Sequence, residues 1–420
     1  MFPLSSLLRA FVRVGALKVI DSNGKIYTFE GEPGPRVTMR FHDPSLKYRL
    51  FFNPDLCVGE AYMDGDLTLE DGGLPALLDL YAINCDHLEA YPVQRMVRGI
   101  SHALRRFQQN NKIGRARRNV SHHYDLGNDF YKLFLDADMQ YSCAYFEHET
   151  DTLEQAQRNK QRLIAAKMNL RPGGKVLDIG SGWGGMALYL ASLEDVEVLG
   201  VTLSQEQCAL ANERAREAGL SDRVRFELRD YRDVDERFDS IVSVGMFEHV
   251  GVRHYPEFFS QVRSLLHEDG IALLHSIGHM SPPSFSNAWL RKYIFPGGYS
   301  PALSEVFDIV ERAGLWVNDV EILRLHYART LREWNNRFQA IRGTAASMYD
   351  ERFCRMWEFY LHATEMMFRS GAQMVFQMQL AHKRDAVPIT RDYIAEQQNR
   401  FRAWEAERNR PVRDIAASGD

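Results

Sequence analysis

From Asp178 to Gly185 the chain reads DIGSGWGG, an acid followed by a cluster of glycines. Lys175 to Ile179 read as a short apolar strand, and Met186 to Ala191 as the start of a helix. Strand, glycine loop and helix together place backbone N–H groups against a nucleotide-like ligand at the carboxyl end of a parallel sheet. Glycine suits the loop because the backbone must approach the ligand closely and pass through positive φ. Gly180, Gly182 and Gly185 also fit the dinucleotide fingerprint G-x-G-x-x-G loosely, so the glycines alone leave a dinucleotide, another nucleotide-like ligand, or a turn that binds nothing. Farther on, Glu248 and His275 end strands expected to be neighbours. A buried Glu beside a His serves as an acid–base pair or holds a small anion. Cys143 would add a third ligand for zinc, but no H-x-E or C-x-x-C spacing is present, and the expectation is no metal. A buried ion pair of Glu248 with Arg253 or Arg232 is the structural alternative.

The elements that must position these groups alternate strand and helix, as a doubly wound sheet requires. Strands are expected at Lys175–Ile179, Glu197–Thr202, Val224–Leu228, Asp239–Gly245 and Ile271–Ser276, with Trp316–Arg324 and Ala372–Ala381 supplying the last two. Helices are expected over Thr152–Leu170, Gln205–Ala218 and His254–Leu266, with a helical block over Leu331–Phe368. In the first of these, Leu163 and Ala166 are expected to face inward and Gln155, Arg158 and Lys160 outward. Ligands of such sheets sit beyond the carboxyl ends of the strands. Those ends offer Gly180 and Gly182, Thr202-Leu203 with Gln207 a turn on, Asp230-Tyr231-Arg232, Phe247-Glu248-His249, and His275 to Gly278.

The first 20 residues are expected to form one amphipathic helix, docked on its own domain or touching a membrane, with Leu4, Leu7, Leu8 and Phe11 at helical spacing. Residues 21–75 read as strands and turns, and residues 74–90 return to helix. From Tyr91 to Val120 stand Arg95, Arg98, Arg105, Arg106, Lys112, Arg115, Arg117 and Arg118 with no Asp or Glu, although the net charge of the chain is −5. Such segregation suits an anionic membrane surface, a solvated linker or an acidic dimer partner. The overall acidic balance gives no basic field for nucleic acid. The 5 scattered cysteines suit a reducing compartment rather than a disulfide framework. No apolar run approaches a membrane span, and Arg9, Arg13 and Lys18 interrupt any signal-like region, so a cytoplasmic protein is expected.

The acid in D-I-G-S-G-W-G resembles the first motif of class I S-adenosylmethionine (AdoMet) methyltransferases. Taken together, YDLGNDFYKLFLDADMQYSCAYF, VLDIGSGWGG, GVTLSQEQ, RDYRD, SVGMFEHVG, LLHSIG, YIFPGG and HYARTL resemble the cyclopropane-fatty-acyl-phospholipid synthase family over about residues 118–382. Mycolic acid cyclopropane synthases are similar over the catalytic part. The resemblance implies an α/β fold: a Rossmann-like, mostly parallel seven-stranded sheet of the class I AdoMet methyltransferase type, with a smaller N-terminal α+β lipid-binding domain. The expected organisation is a lipid- or membrane-associated domain over 1–90, a basic helical linker over 91–120, a catalytic domain over 121–386 with a helical insertion at about 280–370, and a charged helix and tail over 387–420.

The resemblance also implies the chemistry. A methyl passes from AdoMet to a cis double bond of a phospholipid acyl chain, and bound bicarbonate removes a proton as the ring closes. A methyl-branched unsaturated chain is the alternative product. Glu248, His275, Tyr327 and the backbone at Cys143 and Ile277 are implied to hold the bicarbonate. Tyr141, Ser142, Gly180, Gly182, Thr202, Leu203 and Gln207 are implied to bind AdoMet, with Asp230, Tyr231 and Arg232 around its adenine and Asp178 in the motif itself. Thr202 departs from the acid that most AdoMet enzymes carry there, a place that Glu206 or Gln207 would fill. A carbocation favours π faces and a dry pocket, which Tyr141, Tyr145, Phe146, Phe247, Tyr293 and Phe295 would supply unless they are plain core. A homodimer, peripheral on the inner membrane surface, is also expected.

Overall fold

Leu4, Leu7, Leu8 and Phe11 share one buried face of α1 (Leu4–Phe11), but the helix stops there. The chain continues as β1 (Val14–Ile20), not as the single helix expected over the first 20 residues. Gly15 lies at φ +89°, outside helical space, and Leu17 and Val19 then alternate inward as strand residues. The computed structural model describes residues 1–97, 99 and 127–408. In it β2 (Ile26–Glu30), β3 (Glu32–Phe41) and β4 (Leu67–Asp71) join β1 in a sheet ordered β2-β1-β3-β4. α2 (Leu46–Phe52), α3 (Pro54–Asp64) and α4 (Gly73–Ala90) cover it. Buried Asn84 pins α4 to β1: its Oδ1 accepts from the N–H groups of Arg13 and Val14, and its Nδ2 donates to the Val14 carbonyl. Of the basic run expected over 91–120, only Arg95 among its cations lies within the described residues.

The larger unit begins with α5 (Asn128–Phe134) and α6 (Leu153–Met168). Then come β5 (Lys175–Ile179), α7 (Gly185–Leu193), β6 (Glu197–Thr202), α8 (Gln205–Glu217), β7 (Val224–Leu228), β8 (Phe238–Val244), α9 (Tyr255–Leu265) and β9 (Leu266–His279). α10 (Ala288–Tyr293), α11 (Leu303–Ala313), β10 (Trp316–Ile322), α12 (His326–Met348), α13 (Glu351–Ser370), β11 (Gln373–Ala381) and α14 (Asp392–Arg408) complete it. The seven strands run β10-β11-β9-β8-β5-β6-β7. β5 to β9 are mutually parallel, whereas β11 lies antiparallel to β9 and β10 antiparallel to β11. This is the class I AdoMet methyltransferase sheet. Strand order reverses between β5 and β8, and a crevice opens at the carboxyl ends of strands at such a point.

The expected helical block divides in two, because Asp350 caps the second helix by accepting from the Phe353 N–H. The C-terminal helix is more than surface, since Tyr393, Ile394, Phe401 and Glu405 are buried. Glu405 there accepts from Arg162 Nη2 at 2.6 Å.

α3 joins the smaller unit to the larger. Tyr62 donates to Glu358 at 3.0 Å, Lys292 to Glu60 at 2.6 Å, and Arg352 to Asp64 at 2.7 Å. Between these polar ties, Gly59 lets the Trp289 ring approach: a Cβ there would stand 2.4 Å from its Nε1 and 2.9 Å from a Phe359 ring carbon. Gly59→Ala gains up to ~1 kcal/mol in helix propensity. Overpacking against Trp289 costs about 1–3 kcal/mol, and this effect wins. The expected outcome is a lower Tm, checked by thermal denaturation. Among the described residues no helix is long and apolar enough to cross a membrane.

Candidate active site

The glycine loop leaves β5 through Gly180 at φ +81° and Gly182 at φ +55°. All the residues expected to bind AdoMet line one cavity of about 150 Å³ at this loop: Tyr141, Ser142, Asp178, Gly180, Gly182, Thr202, Leu203, Gln207, Asp230, Tyr231 and Arg232. Two buried oxygens there, Asp178 Oδ2 and Ser181 Oγ, have no hydrogen-bond partner among the described residues. Orphaned polar atoms beside a half-buried glycine backbone that lines the cavity fit a polar ligand. Burial raises the Asp178 carboxyl to about 7, against the pull of Lys160. Thr202 Oγ1 donates to Gln207 Oε1 at 3.0 Å, so these two act as one unit at the end of β6. Both Asp230 oxygens already accept from Arg232, at 2.8 and 2.7 Å, so an adenine amino group would share Asp230 with that guanidinium.

A second cavity, of about 470 Å³, adjoins the first. Its lining includes Cys143, Glu248, His275, Ile277 and Tyr327, all the residues expected to do chemistry. Tyr141, Ser142, Gly245 and His249 line both cavities and form the wall between them. From this polar end the cavity runs into the N-terminal unit, past Leu4, Leu7, Leu8, Phe11, Met39 and Leu50.

Glu248 is set by a short 3-10 turn after β8. Its Oε1 accepts from the Ile277 N–H at 2.6 Å, and its buried Oε2 has no partner among the described residues. The Ile277 N–H, expected to hold an anion directly, is thus taken by that carboxylate. No cation among the described residues pairs with Glu248: Arg232 is paired with Asp230. Burial lifts the Glu248 carboxyl to about 7, with the Ile277 N–H acting the other way. His275 on β9 is buried, and burial with two nearby lysines holds its imidazole well below the ordinary range. Tyr327 packs edge-on against Phe368 at a centroid distance of 4.7 Å. Burial raises the Cys143 thiol, which donates to the Ala144 carbonyl at 3.3 Å. Among the described residues no three His, Cys, Asp or Glu side chains gather as a metal site. A carboxylate oxygen with no partner among the described residues, sharing one cavity with an imidazole and a phenol, fits a small anion that carries its own O–H.

Of the aromatic residues expected around a cation, Tyr141 and Phe295 line this cavity. The other four do not. Tyr145 and Phe146 stack on His326, Phe247 stacks on Tyr255, and Tyr293 packs beside Trp289. Trp289, Phe359 and Phe368 stand in the lining instead, on α10 and α13, within the helical insertion expected at about 280–370. Lys160 is the clearest reversal: expected to face solvent, it is fully buried and donates to Gln140 Oε1 at 2.5 Å and Ser142 Oγ at 2.8 Å. Gln157 donates to the Gln140 and Ser142 carbonyls from the same helix. α6 thus clamps the segment that separates the two cavities.

Comparison with known proteins bears on this geometry. The family model described as mycolic acid cyclopropane synthetase matches residues 111–378. The chain is 38% identical over 352 residues to the cyclopropane-fatty-acyl-phospholipid synthase of Escherichia coli (strain K12), covering 81% of this chain and 86% of that one. It is 37% identical over 392 residues to the tuberculostearic acid methyltransferase UfaA1 of Mycobacterium tuberculosis (strain ATCC 25618 / H37Rv), covering 89% and 90%. Among solved structures, the mycolic acid cyclopropane synthase CmaA1 complexed with SAH and CTAB superposes with a TM-score of 0.60 at 36% identity, over 63% of this chain and 97% of that one.

Proposed function

We propose that this chain, which belongs to the mycolic acid cyclopropane synthetase family, transfers a methylene group from AdoMet to the cis double bond of an unsaturated phospholipid acyl chain, closing a cyclopropane ring. One observation carries this reading: a largely apolar cavity, with Glu248, His275 and Tyr327 in its lining, abuts the glycine-loop cavity through a shared wall. The apolar part suits an acyl chain. The wall formed by Tyr141, Ser142, Gly245 and His249 is where a methyl would cross from one ligand to the other.

When bound, AdoMet would supply an electrophilic methyl to the alkene's π electrons, its sulfur being a leaving group able to take the bonding pair. Bicarbonate, when bound, supplies a base for the proton that the transferred methyl must lose. The chain's own residues do the rest. The rings of Tyr141, Phe295 and Tyr327 offer π faces to a developing cation. Leu290, Ile277 and Val375 keep water from it. Glu248 Oε2 accepts an O–H from the held anion, while His275 and Tyr327 turn donors toward it.

Product analysis tests the assignment. Purified protein, AdoMet and vesicles of unsaturated phospholipid should give acyl chains that have gained one methylene and resist hydrogenation of a double bond. A methylated product that keeps its double bond would reject ring closure. Failure to modify phospholipid, with a soluble acceptor methylated instead, would reject the substrate class.

The same reading places the enzyme at the inner surface of the membrane, as a cytoplasmic peripheral homodimer. The basic run over 91–120 supports the surface, since each Lys or Arg near anionic headgroups contributes ~1 kcal/mol. Reversing Arg115, Arg117 and Arg118 to Glu is expected to weaken sedimentation with anionic vesicles, more at low salt than at high. Sedimentation velocity tests the dimer.

A further inference from the structure

We propose that Lys167 and Gln377 decide which nitrogen of His275 carries the proton, so that the ring presents Nε2–H to the cavity. The role assigned to that N–H rests on the anion site proposed above; the placement of the proton rests on geometry alone.

Lys167, on α6, is fully buried. Its Nζ donates to Glu321 Oε2 at 2.6 Å and to Gln377 Oε1 at 2.8 Å. Gln377, on β11, lies directly opposite His275 on β9 in the antiparallel register. Its Nε2 stands 3.2 Å from His275 Nδ1. An ammonium has donors only, so the amide atom facing it must be the oxygen. The amide NH₂ therefore faces the imidazole, and Nδ1 must accept. A neutral imidazole with Nδ1 accepting carries its proton on Nε2. Lys160 and Lys167 are the charges that face the ring, and with burial they oppose a second proton. Nε2 has no hydrogen-bond partner among the described residues, and His275 lines the cavity with Glu248. A donor is thus held toward the place where an anion would sit. The opposite tautomer would aim a lone pair at it.

Glu321 anchors the far end. Burial opposes its charge, but Lys167 and Arg391 beside it hold its carboxyl below the usual range. The resulting line, Glu321–Lys167–Gln377–His275, connects the edge of the sheet to the reaction chamber without any of the first three lining that chamber. Lys167 and Gln377 are therefore positioning residues.

The test uses full-length protein labelled with ¹⁵N-histidine, with the His275 signals assigned by their loss in His275→Asn. The expected spectrum shows Nδ1 unprotonated and Nε2 protonated. Gln377→Glu puts a carboxylate opposite Nδ1, still paired with Lys167, and should invert the tautomer. Lys167→Met frees the amide to rotate and should give a mixture, while Lys167→Arg restores the parent spectrum. Both Gln377→Glu and Lys167→Met should raise the bicarbonate concentration needed for half-maximal rate about 10–100-fold, with AdoMet affinity unchanged. Protonated Nδ1 in the parent protein, or a parent-like spectrum in both variants, would overturn the proposal. An inverted tautomer with no change in bicarbonate dependence would uphold the proton placement and reject the anion site instead.

Discussion

Glu248→Gln should lower turnover by about 10²–10⁴-fold, the range associated with a lost proton-transfer partner, and leave AdoMet affinity unchanged. The amide can still accept the Ile277 N–H at one atom, but it turns an NH₂ donor to the cavity where Glu248 Oε2 has no partner among the described residues. The parent rate should rise with pH through about 7, as the carboxylate ionises. Stability should move the other way. Burial raises this carboxyl from 4.5 to about 7, so its contribution to folding is fully present below 4.5 and is lost as pH climbs through about 7. Glu248→Gln should therefore melt higher than the parent well above that pH, and the difference should vanish in acid. A slower enzyme that is also more stable at alkaline pH excludes unfolding as the cause of the lost rate. Loss of AdoMet binding instead, read by calorimetry, would place Glu248 in the wrong cavity.

The second large effect concerns the glycine loop. Gly182→Val should weaken AdoMet binding by at least ~10²-fold, or about 2.7 kcal/mol, without unfolding the protein. Gly182 sits at φ +55°, where a β-branched residue is strained by about 1–3 kcal/mol. Among the described residues no atom beyond its two chain neighbours lies within 4 Å of where its Cβ would stand, and Gly182 lines the smaller cavity. The new side chain therefore meets the ligand rather than the protein. Gly182→Ala should fall between the two. The Glu248 and Gly182 variants should separate cleanly: one loses rate and keeps the cofactor, the other loses the cofactor. Equal AdoMet affinity in Gly182→Val and parent would mean that the loop holds nothing.

The strands and the glycine loop are legible in the sequence because their signals are local. Apolar runs bounded by Gly, Asp and Pro place β5 to β8 within a residue of where they lie, and strand ends point to the crevice without further information. Burial that tertiary contacts decide is less legible. Lys160 reads as part of a solvated face, yet it and Lys167 stand at i and i+7 of a stripe whose middle is Leu163 and Ile164, all of it buried. That spacing is the signal that finds them: a lysine on the apolar stripe of a helix needs a buried partner. Four of the six expected aromatic residues lie outside the cavity for a similar reason. Phe247 follows the strand end as closely as Glu248 does, but adjacent residues on a tight turn face opposite ways, and its ring stacks on Tyr255 in the core. The first 20 residues misled because the period of 3.6 in Leu4 to Phe11 hides a switch to period 2 after Gly15.

A tethered anion as the base is the centre of the account. The most direct measurement is the cyclopropanation rate of purified enzyme on phospholipid vesicles in buffer stripped of carbon dioxide, with bicarbonate then titrated back. The rate should drop to a small residue and recover along a saturable curve, which Glu248→Gln flattens. A full rate in stripped buffer, unmoved by added bicarbonate, would contradict it and require a protein side chain to take the proton.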